Sequence, residues 1–253
     1  MTRGSQEETS GGVQSVARAF ALLDLMSVEG GEMSLSELAG ASGLPLPTIH
    51  RLIRTLITSG HVRQQKSRRY ALGPRLIGLG ESASRLLATW AQPGLTALAD
   101  TIGETANMAL RDGDRAVYVA QTPSRHSMRM FTEVGRRVRM HCTGVGKALL
   151  AQLPEHEVRH ILAAAGMPAE TDLTITDPDA LIRELERVRD RGHAVDDGEQ
   201  EIGVRCVAVP VHDAPTLTAI SVSGPESRLT PAVVAQVVPL LRDTAAALAK
   251  HFA

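Results

Sequence analysis

The sequence predicts an α+β protein of two domains, a small helical domain with a basic hairpin followed by a larger mixed domain. Three observations support this prediction. Two short amphipathic helices joined by a tight turn precede a hairpin between residues 34 and 73. From Pro93 onward, strand-like and helix-like stretches alternate. The chain has 253 residues, of which 43% are hydrophobic, and this is enough to build two cores.

The first element follows a polar N-terminus. Residues 1–12 are rich in Gly and Ser and lack an apolar stretch, so we expect a disordered leader and not a signal peptide. Helical periodicity begins at Val13, where Val16, Phe20 and Leu23 fall on one face. We expect that face to pack as the first helix of a domain spanning 13–73.

Two helices and a turn follow. Ser34 stands where a helix cap is needed and Glu37 comes three residues later, which is the pattern of a capping box. Gly43 ends this helix, and the next one starts around Pro45 and Pro47, since proline is tolerated in a first turn. The apolar stripe predicted for this second helix consists of Leu46, Ile49, Leu52, Ile53, Leu56 and Ile57.

The opposite face of the second helix carries small hydroxyls and cationic side chains. Such groups suit phosphate oxygens and the base edges of a DNA major groove. This helix is therefore the candidate recognition helix of a helix-turn-helix. Its polar face consists of Thr48, His50, Arg51, Arg54, Thr55 and Thr58.

A predicted hairpin follows, with strand-like runs at 60–63 and 69–72, and it reads as the wing of a winged helix-turn-helix. Seven Lys or Arg and no Asp or Glu occur from 51 to 75, although the chain holds 27 basic and 28 acidic residues overall. This sorting of charge favours DNA binding over the alternative, a surface hairpin with ordinary solvated charge. The candidate DNA contacts are Ser34, Thr48, His50, Arg51, Arg54, Thr55, Arg68 and Arg69.

Residues 74–92 are predicted to form a linker and dimerisation helix. Gly73 and Pro74 indicate a break, after which apolar residues recur at spacings of three and four. Two heptads are too few to establish a coiled coil, so a helix that packs on its own domain stays open. Helix-turn-helix proteins usually bind half-sites in pairs, and we therefore expect a homodimer or a dimer-of-dimers tetramer. The seam consists of Leu76, Leu79, Ala83, Leu86 and Trp90.

The second predicted domain spans 93–253. Its composition indicates an α+β fold of the size common in sensor domains. The predicted strands lie near 105–111, 115–121, 193–196, 204–212 and 216–223, and the predicted helices lie at 94–103, after Gly144, Pro154 and Pro178, and at 230–251.

One of these helices begins with a turn of small residues, where Gly144, Val145 and Gly146 precede Lys147. The free main-chain amides at the start of a helix bind anions. We therefore expect this turn to bind a carboxylate. The alternative is a plain helix entry with a solvated Lys147.

Further polar residues occur in the later strands. Ser221 and Ser223 share one face of a strand because side chains alternate, Asp196 ends another strand, and Cys206 lies in a third. Each has a simpler interpretation: paired serines on a strand, a turn aspartate and a small core cysteine. Together they make a candidate ligand site.

An enzyme is the competing class, because His141, Cys142, His193, Asp196 and Cys206 contain the ingredients of a thiol hydrolase or a zinc site. However, the chain lacks the Cys-x-x-Cys and His-Glu-x-x-His spacings and a nucleophile elbow. We therefore predict no catalytic residues and no metal site. Two cysteines in this length argue against a disulfide framework, and no apolar run approaches the roughly 18 residues of a membrane span, so we expect a soluble, cytoplasmic protein.

Together these motifs resemble the IclR family of bacterial transcription regulators over 13–252. The blocks that carry the resemblance are 13–19, 35–57, 70–73, 141–150, 191–199 and 220–225. The resemblance implies an N-terminal winged helix, a linker helix and a C-terminal GAF-like effector domain. It also implies a dimer or tetramer that binds double-stranded operator DNA.

Within that family, the stretches 103–109, Ser127–Met130 and 221–230 resemble the allantoin-utilisation repressors that sense glyoxylate. This resemblance implies no cofactor beyond a small oxoacid such as glyoxylate. An IclR-type regulator of another pathway that senses a different organic or aromatic acid is the alternative. Only three Phe, two Tyr and one Trp occur, and this favours a small polar ligand. By this resemblance the effector contacts are Gly144, Val145, Gly146, Asp196, Cys206, Ser221 and Ser223.

Overall fold

A computed structural model describes residues 13–127 and 133–251. The leader at 1–12 and most of the Ser127–Met130 motif lie outside the described residues. The chain divides into two compact units, 1–83 and 84–253. Each unit is built around its own sheet.

The first unit is a three-helix arrangement with a small antiparallel sheet in the order β1-β3-β2. Strand β1 was not predicted, because two residues are too short to show periodicity. Strands β2 and β3 form the predicted hairpin. The elements are α1 (Gln14–Val28), β1 (Glu32–Met33), α2 (Leu35–Ser42), α3 (Leu46–Thr58), β2 (Val62–Gln64) and β3 (Tyr70–Leu72).

The predicted start and end of α2 are confirmed. The Glu37 amide donates to Ser34 Oγ at 3.2 Å, and the Ser34 amide donates to Glu37 Oε2 at 2.7 Å, which completes the capping box. Gly43 ends the helix in the left-handed conformation with φ 66°. These two ends fix the turn that precedes α3.

The apolar faces of α1 and α3 are narrower than the sequence predicts. Val16 and Phe20 are 52% and 61% exposed, so the prediction that they pack inward is wrong. Leu46 and Ile57 are also exposed at the two ends of α3. In a core this small, only the apolar residues near the middle of each helix are buried, and those near the helix ends stay exposed. Its buried members include Leu22, Leu23, Met26, Leu38, Ile49, Leu52, Ile53 and Leu56.

Helix α4 (Arg75–Ile102) is one continuous helix, where the sequence predicted a separate helix after Pro93. Proline in a helix interior removes one hydrogen bond and costs about 3 kcal/mol. Ala91, Leu95 and Leu98, on both sides of the proline, are buried in the core of the second unit. Their burial offsets the cost and holds the helix together through Pro93.

The second unit contains a six-stranded antiparallel sheet in the order β6-β5-β4-β9-β8-β7. The predicted strands and helices are found with small changes at their ends, and the short edge strand β6 was not predicted. The elements after α4 are β4 (Thr105–Asp112), β5 (Arg115–Thr122), β6 (Arg137–Arg139), α5 (Gly144–Leu150), α6 (Glu155–Ala165), α7 (Pro178–Arg191), β7 (Ala194–Asp197), β8 (Val204–Val211), β9 (Thr218–Pro225) and α8 (Pro231–Ala249).

The two faces of this sheet pack against different helices. Val207, Ile220 and Val222 lie on the face that forms one core with α4 and α8. Ala208 and Ala219 lie on the other face, in a second core with α5, α6 and α7. Because side chains alternate along a strand, every second residue of β8 and β9 faces α5.

Helix α8 is the one helix among the described residues that is long and apolar enough to cross a membrane by length and composition. The sequence had predicted no such stretch. Val237, Leu241, Ala245 and Leu248 lie at helical spacing along α8 and are buried against the sheet. Its apolar character is therefore that of a core helix.

Candidate nucleic-acid interface and effector site

Helix α3 presents its polar face to solvent. His50, Arg51, Arg54 and Thr55 are exposed, and Thr48 is half-buried. The Thr55 hydroxyl donates to the Arg51 carbonyl at 3.0 Å, which leaves its oxygen lone pairs facing outward. The two guanidinium groups lie one turn apart, a spacing that suits successive phosphate or base contacts.

The wing turns at Arg68, whose φ of 64° is left-handed. The Gln65 amide donates to the Arg69 carbonyl at 2.8 Å, and the Arg68 amide donates to the Gln65 carbonyl at 3.0 Å. Arg63, Lys66 and Arg68 are exposed, so the wing carries a cluster of solvent-facing cations.

Two of the predicted DNA contacts have structural partners in the first unit. Arg69 forms ion pairs with Glu32 at 3.0 Å and Glu37 at 2.8 Å, so carboxylates already compensate its charge. The pKa of Glu37 is lowered by the hydrogen bond from the Ser34 amide and by Arg69. Ser34 itself caps α2. Arg69 and Ser34 therefore tie the wing and β1 to the start of α2.

In the second unit, strand register aligns the predicted effector contacts. Asp196 on β7 pairs with Cys206 on β8, and Cys206 pairs with Ser223 on β9. One step along the same face, Ala208 pairs with Ser221. Residues directly opposite one another in an antiparallel sheet point to the same side, so all four polar side chains share one face. That face lies under α5.

Helix α5 begins directly over Cys206. A Cβ added at Gly144 would lie 2.9 Å from Cys206 Sγ, and one added at Gly146 would lie 2.3 Å from Met140 Cα. Packing therefore requires glycine at both positions, whereas the sequence predicted an anion site formed by their amides. The Gly146 amide donates to the Thr143 hydroxyl at 3.1 Å, so the expectation that this amide is free is wrong.

A buried ion pair adjoins the start of α5. Lys147 is 1% exposed and its Nζ donates to Glu199 Oε1, so the alternative of a solvated lysine is wrong. Asp196 Oδ1 accepts the Glu199 amide at 2.8 Å and the Gln200 amide at 3.3 Å. Burial raises the pKa of Asp196 to about 7, and the charge of Glu199 adds to the rise. Burial also raises the pKa of Glu199.

Two buried polar atoms have no hydrogen-bond partner among the described residues, Ser221 Oγ and Glu199 Oε2. Ser221 is completely buried. The Ser221 hydroxyl lies near the Cys206 thiol and moderates the rise in the pKa of that thiol, but the two groups do not meet hydrogen-bond geometry. Buried polar groups without partners are rare, and they are found where local strain, an ordered water, an ion or a ligand accounts for them.

The thiols do not resemble nucleophiles. Burial and the charge of Asp196 raise the pKa values of Cys142 and Cys206 to about 12 each, so both are protonated at neutral pH. The described ranges contain no group of three or more His, Cys, Asp or Glu side chains that could hold a metal ion. The chemistry available at this site is hydrogen bonding, from hydroxyl and main-chain amide donors beside the buried Lys147–Glu199 ion pair.

Two polar residues on the same face were not predicted from the sequence. Asn107 on β4 pairs with Ser221 and is completely buried, and its Nδ2 donates to Ser223 Oγ at 3.2 Å. Gln121 on β5 donates to Asn107 Oδ1 at 3.2 Å. Each of the two is a polar residue within an otherwise apolar strand, at a position whose side chain faces α5, and this pattern could have identified them from the sequence.

Two family models match the chain. The model of the IclR helix-turn-helix domain covers residues 15–66. The model described as bacterial transcriptional regulator IclR C-terminal covers residues 82–250. Together they span both compact units.

Curated relatives and solved structures agree with the family models. The transcriptional repressor IclR of Escherichia coli is 39% identical over 228 residues, which is 87% of this chain and 83% of that protein. The HTH-type transcriptional repressor AllR of Salmonella typhi is 35% identical over 239 residues, 92% of this chain and 88% of the relative. The crystal structure of the Thermotoga maritima IclR superposes with a TM-score of 0.65 at 30% identity, covering 94% of this chain and 98% of that one.

These relatives are transcriptional regulators and not enzymes. A helix-turn-helix unit for operator DNA and a C-terminal unit for a small-molecule effector are the two parts of their architecture. The chain has both parts, and it belongs to the IclR family of ligand-responsive, DNA-binding transcriptional regulators.

Proposed function

We propose that the chain is a cytoplasmic repressor that binds a palindromic operator as a dimer and is released from it by glyoxylate or a similar small oxoacid. The observation that carries this proposal is the Ser221 hydroxyl, which is completely buried without a hydrogen-bond partner in the part of the chain that the structure describes. Glu199 Oε2 is a second such atom at the same site. A small ligand with several polar atoms can form hydrogen bonds with both the Ser221 hydroxyl and the Glu199 carboxylate oxygen.

Glyoxylate suits the chemistry of the site. Its carboxylate accepts hydrogen bonds from the Ser221 and Ser223 hydroxyls and from the Gly144 amide. Its aldehyde or hydrate oxygen meets Asp196, whose pKa is raised to about 7 by burial, so that the protonated carboxyl can donate a hydrogen bond near neutral pH. Val145 and Cys206 enclose the guest, and no cofactor takes part.

The DNA-binding part of the proposal rests on the exposed cations of the first unit. We assign the operator contacts to the polar face of α3 and to the wing, with Ser34 and Arg69 supporting them through α2. Thr48, His50, Arg51, Arg54, Thr55 and Arg68 are the residues that reach DNA in this proposal.

Exposed apolar residues support a dimer. Leu79 and Leu86, which belong to the predicted seam of α4, are 55% and 49% exposed in the single chain. Phe20 on α1 is 61% exposed. Large apolar side chains that recur on a helix face and stay exposed are typical of association surfaces. We therefore propose that two copies pair, and that pairs associate further into tetramers.

We propose that the chain controls allantoin catabolism or another purine-linked catabolic pathway that produces glyoxylate. The motifs at 103–109 and 221–230, together with the spacing of ten residues from Asp196 to Cys206, support it. The 35% identity to AllR is compatible with this, although the Escherichia coli IclR is 39% identical.

Isothermal titration of the full chain with glyoxylate tests the effector assignment. We expect Ser221→Ala to weaken binding about tenfold or more, because one hydrogen bond to a charged oxygen is worth about 1.5–3 kcal/mol. The melting temperature of ligand-free protein should stay the same or rise, since the substitution removes an unpartnered buried hydroxyl. Ser227→Ala, in an exposed turn, is the matched control. Equal affinity in Ser221→Ala, or no binding by the unaltered chain, contradicts the proposal.

A further inference from the structure

A second concave region lies at the other end of the same sheet. It is a groove of about 970 Å³ between the ends of α7 and α8 and the β8–β9 turn, and we call it the α7–α8 groove. Its lining contains none of the proposed effector contacts. Val211 and Thr218 pair at the groove end of β8 and β9, five residues from the Cys206–Ser223 pair. At about 3.3 Å per residue, the two sites are roughly 17 Å apart along the strands.

The floor of the groove is apolar. Val188, Val209, Val211 and Ala245 are buried at its base, and Leu217 is half-buried at its side. A volume of this size is at the upper end of the range of about 300–1,000 Å³ typical of small-molecule sites. The floor therefore offers alkyl surface to the apolar part of a ligand.

Among the residues that the structure describes, two arginines at the groove have no carboxylate partner. Arg189 donates to the carbonyls of Ala151 at 2.9 Å and Leu153 at 3.0 Å, and Arg242 donates to the Arg191 carbonyl at 2.5 Å. Across the two described ranges, neither forms an ion pair, in contrast to Arg159, Arg205 and most other arginines of the second unit. Main-chain carbonyls fix both guanidinium groups and leave their charge uncompensated.

The position of Arg242 is built into the fold. A Cβ added at Gly192, which ends α7 with φ 70°, would lie 2.7 Å from Arg242 Nη2. The glycine thus makes room for the guanidinium beside the groove. Lys250 adds a third cation to the lining and His212 an imidazole ring, while Asp213 is the one acid among the lining residues. The lining carries an excess of positive charge above an apolar floor.

We propose that the α7–α8 groove is a second ligand site, which takes an amphipathic organic acid with an aryl or alkyl body. The body lies on the valine and leucine floor, and the carboxylate meets Arg242 and Arg189 in the bidentate geometry that guanidinium groups favour. The proposal does not depend on the identity of the effector bound near Ser221.

Isothermal titration of the full chain with benzoate, 3-phenylpropanoate and hexanoate tests this site. At least one of these acids should bind, and its Kd should rise tenfold or more in Arg242→Gln. Ala246→Trp, which places an indole in the groove from an exposed position on α8, should have the same effect. Benzyl alcohol, the uncharged counterpart of benzoate, should bind more weakly than the acid.

Three controls separate this site from others. Arg183→Gln, an exposed α7 arginine outside the groove, and Ser221→Ala should leave acid binding unchanged. Glyoxylate binding should persist in Ala246→Trp, so each of the two ligand sites can be tested without affecting the other. Lack of binding by all three acids overturns the proposal, as does binding that Ser221→Ala abolishes. A change of oligomeric state in Ala246→Trp without a change in acid binding would assign the groove to a second copy of the chain and also overturn it.

Discussion

At the scale of single residues, Asp196 has both a structural role and a role towards the ligand. Its Oδ1 accepts hydrogen bonds from two main-chain amides and so holds the 196–200 turn. Burial disfavours the negative charge of the ionised carboxylate and raises its pKa. Because the pKa of this carboxyl is about 7, the folded state binds a proton more tightly than the unfolded state does. The stabilisation is complete below the unfolded pKa of about 3.9 and is lost as the pH rises through about 7.

Asp196→Asn should therefore change how stability depends on pH. The amide keeps an acceptor for the Glu199 amide but cannot ionise, so the variant should lose part of the fall in unfolding free energy between about pH 4 and 7. The rise in the pKa of Asp196 on folding corresponds to about 2–4 kcal/mol in the free energy of unfolding. Urea unfolding of both proteins at pH 5 and pH 8 measures the difference. Part of the slope should remain, because the pKa of Glu199 is raised as well.

The control for this experiment is Asp172→Asn, which removes an exposed carboxylate. The control should keep the pH dependence of the unaltered chain. An Asp196→Asn variant with that same pH dependence would show that Asp196 is ionised in the folded protein.

Single residues were also the hardest features to predict from the sequence. Gly144 and Gly146 were recognised as important, but their reason is contact with Cys206 and Met140, and such close approaches between distant segments leave no trace in local sequence. A solvated Lys147 was the alternative interpretation, because lysine is seldom buried without a partner, and its partner Glu199 lies 52 residues away in the sequence.

At the scale of elements, α5 is the helix on which the candidate site depends. All seven of its residues are buried, and its first turn fits against β8 and the 140–143 segment without space for a methyl group at either glycine. A helix held this tightly keeps the Gly144 amide in a fixed place above the sheet.

Gly146→Ala should destabilise the second unit. Its Cβ would meet Met140 Cα at 2.3 Å and Thr143 Oγ1 at 2.5 Å, both in the buried cap of the helix. We expect a loss of about 1–3 kcal/mol from overpacking, measured by urea unfolding. Gly78→Ala on α4, where a Cβ meets nothing within 4 Å, should instead raise stability by up to about 1 kcal/mol. Equal effects of the two substitutions would contradict the packing argument.

Helix α3 carries a separate prediction. Arg51→Ala and Arg54→Ala should each weaken operator binding about tenfold and lower the salt dependence of the association constant by about one counterion. Neither substitution should change effector affinity or stability, because both side chains are exposed. Fluorescence anisotropy at several salt concentrations makes the measurement, with Arg183→Ala as a control of equal charge. Operator binding that both variants retain in full would exclude α3 as the recognition helix.

Elements were predicted well where periodicity was long and poorly where it was short. The apolar run of β8, the alternation of serine and apolar residues in β9 and the capping box of α2 predicted both strands and the helix start. Strands β1 and β6 have two and three residues, too few for a pattern. The continuation of α4 through Pro93 was missed because packing in the core outweighs a local preference.

At the scale of the whole molecule, regulation requires that the effector site and the DNA-binding surface influence each other. Each belongs to a different compact unit, and α4 is the element that contains the boundary between them. We propose that the effector favours an arrangement of the dimer in which the two recognition helices no longer match the half-sites. A coupling of about 1–3 kcal/mol, typical of allosteric proteins, corresponds to about 5–150-fold in operator affinity.

Release of operator DNA by glyoxylate tests this account most directly. The probe is a labelled duplex selected with the unaltered protein from a random pool, and binding is followed by fluorescence anisotropy at fixed salt and pH. We predict that saturating glyoxylate lowers the operator affinity of the unaltered chain at least fivefold. In Ser221→Ala, operator affinity without glyoxylate should be unchanged, but about tenfold more glyoxylate should be needed for release. Release that is undiminished in Ser221→Ala, or the absence of any release from the unaltered chain, would contradict the account.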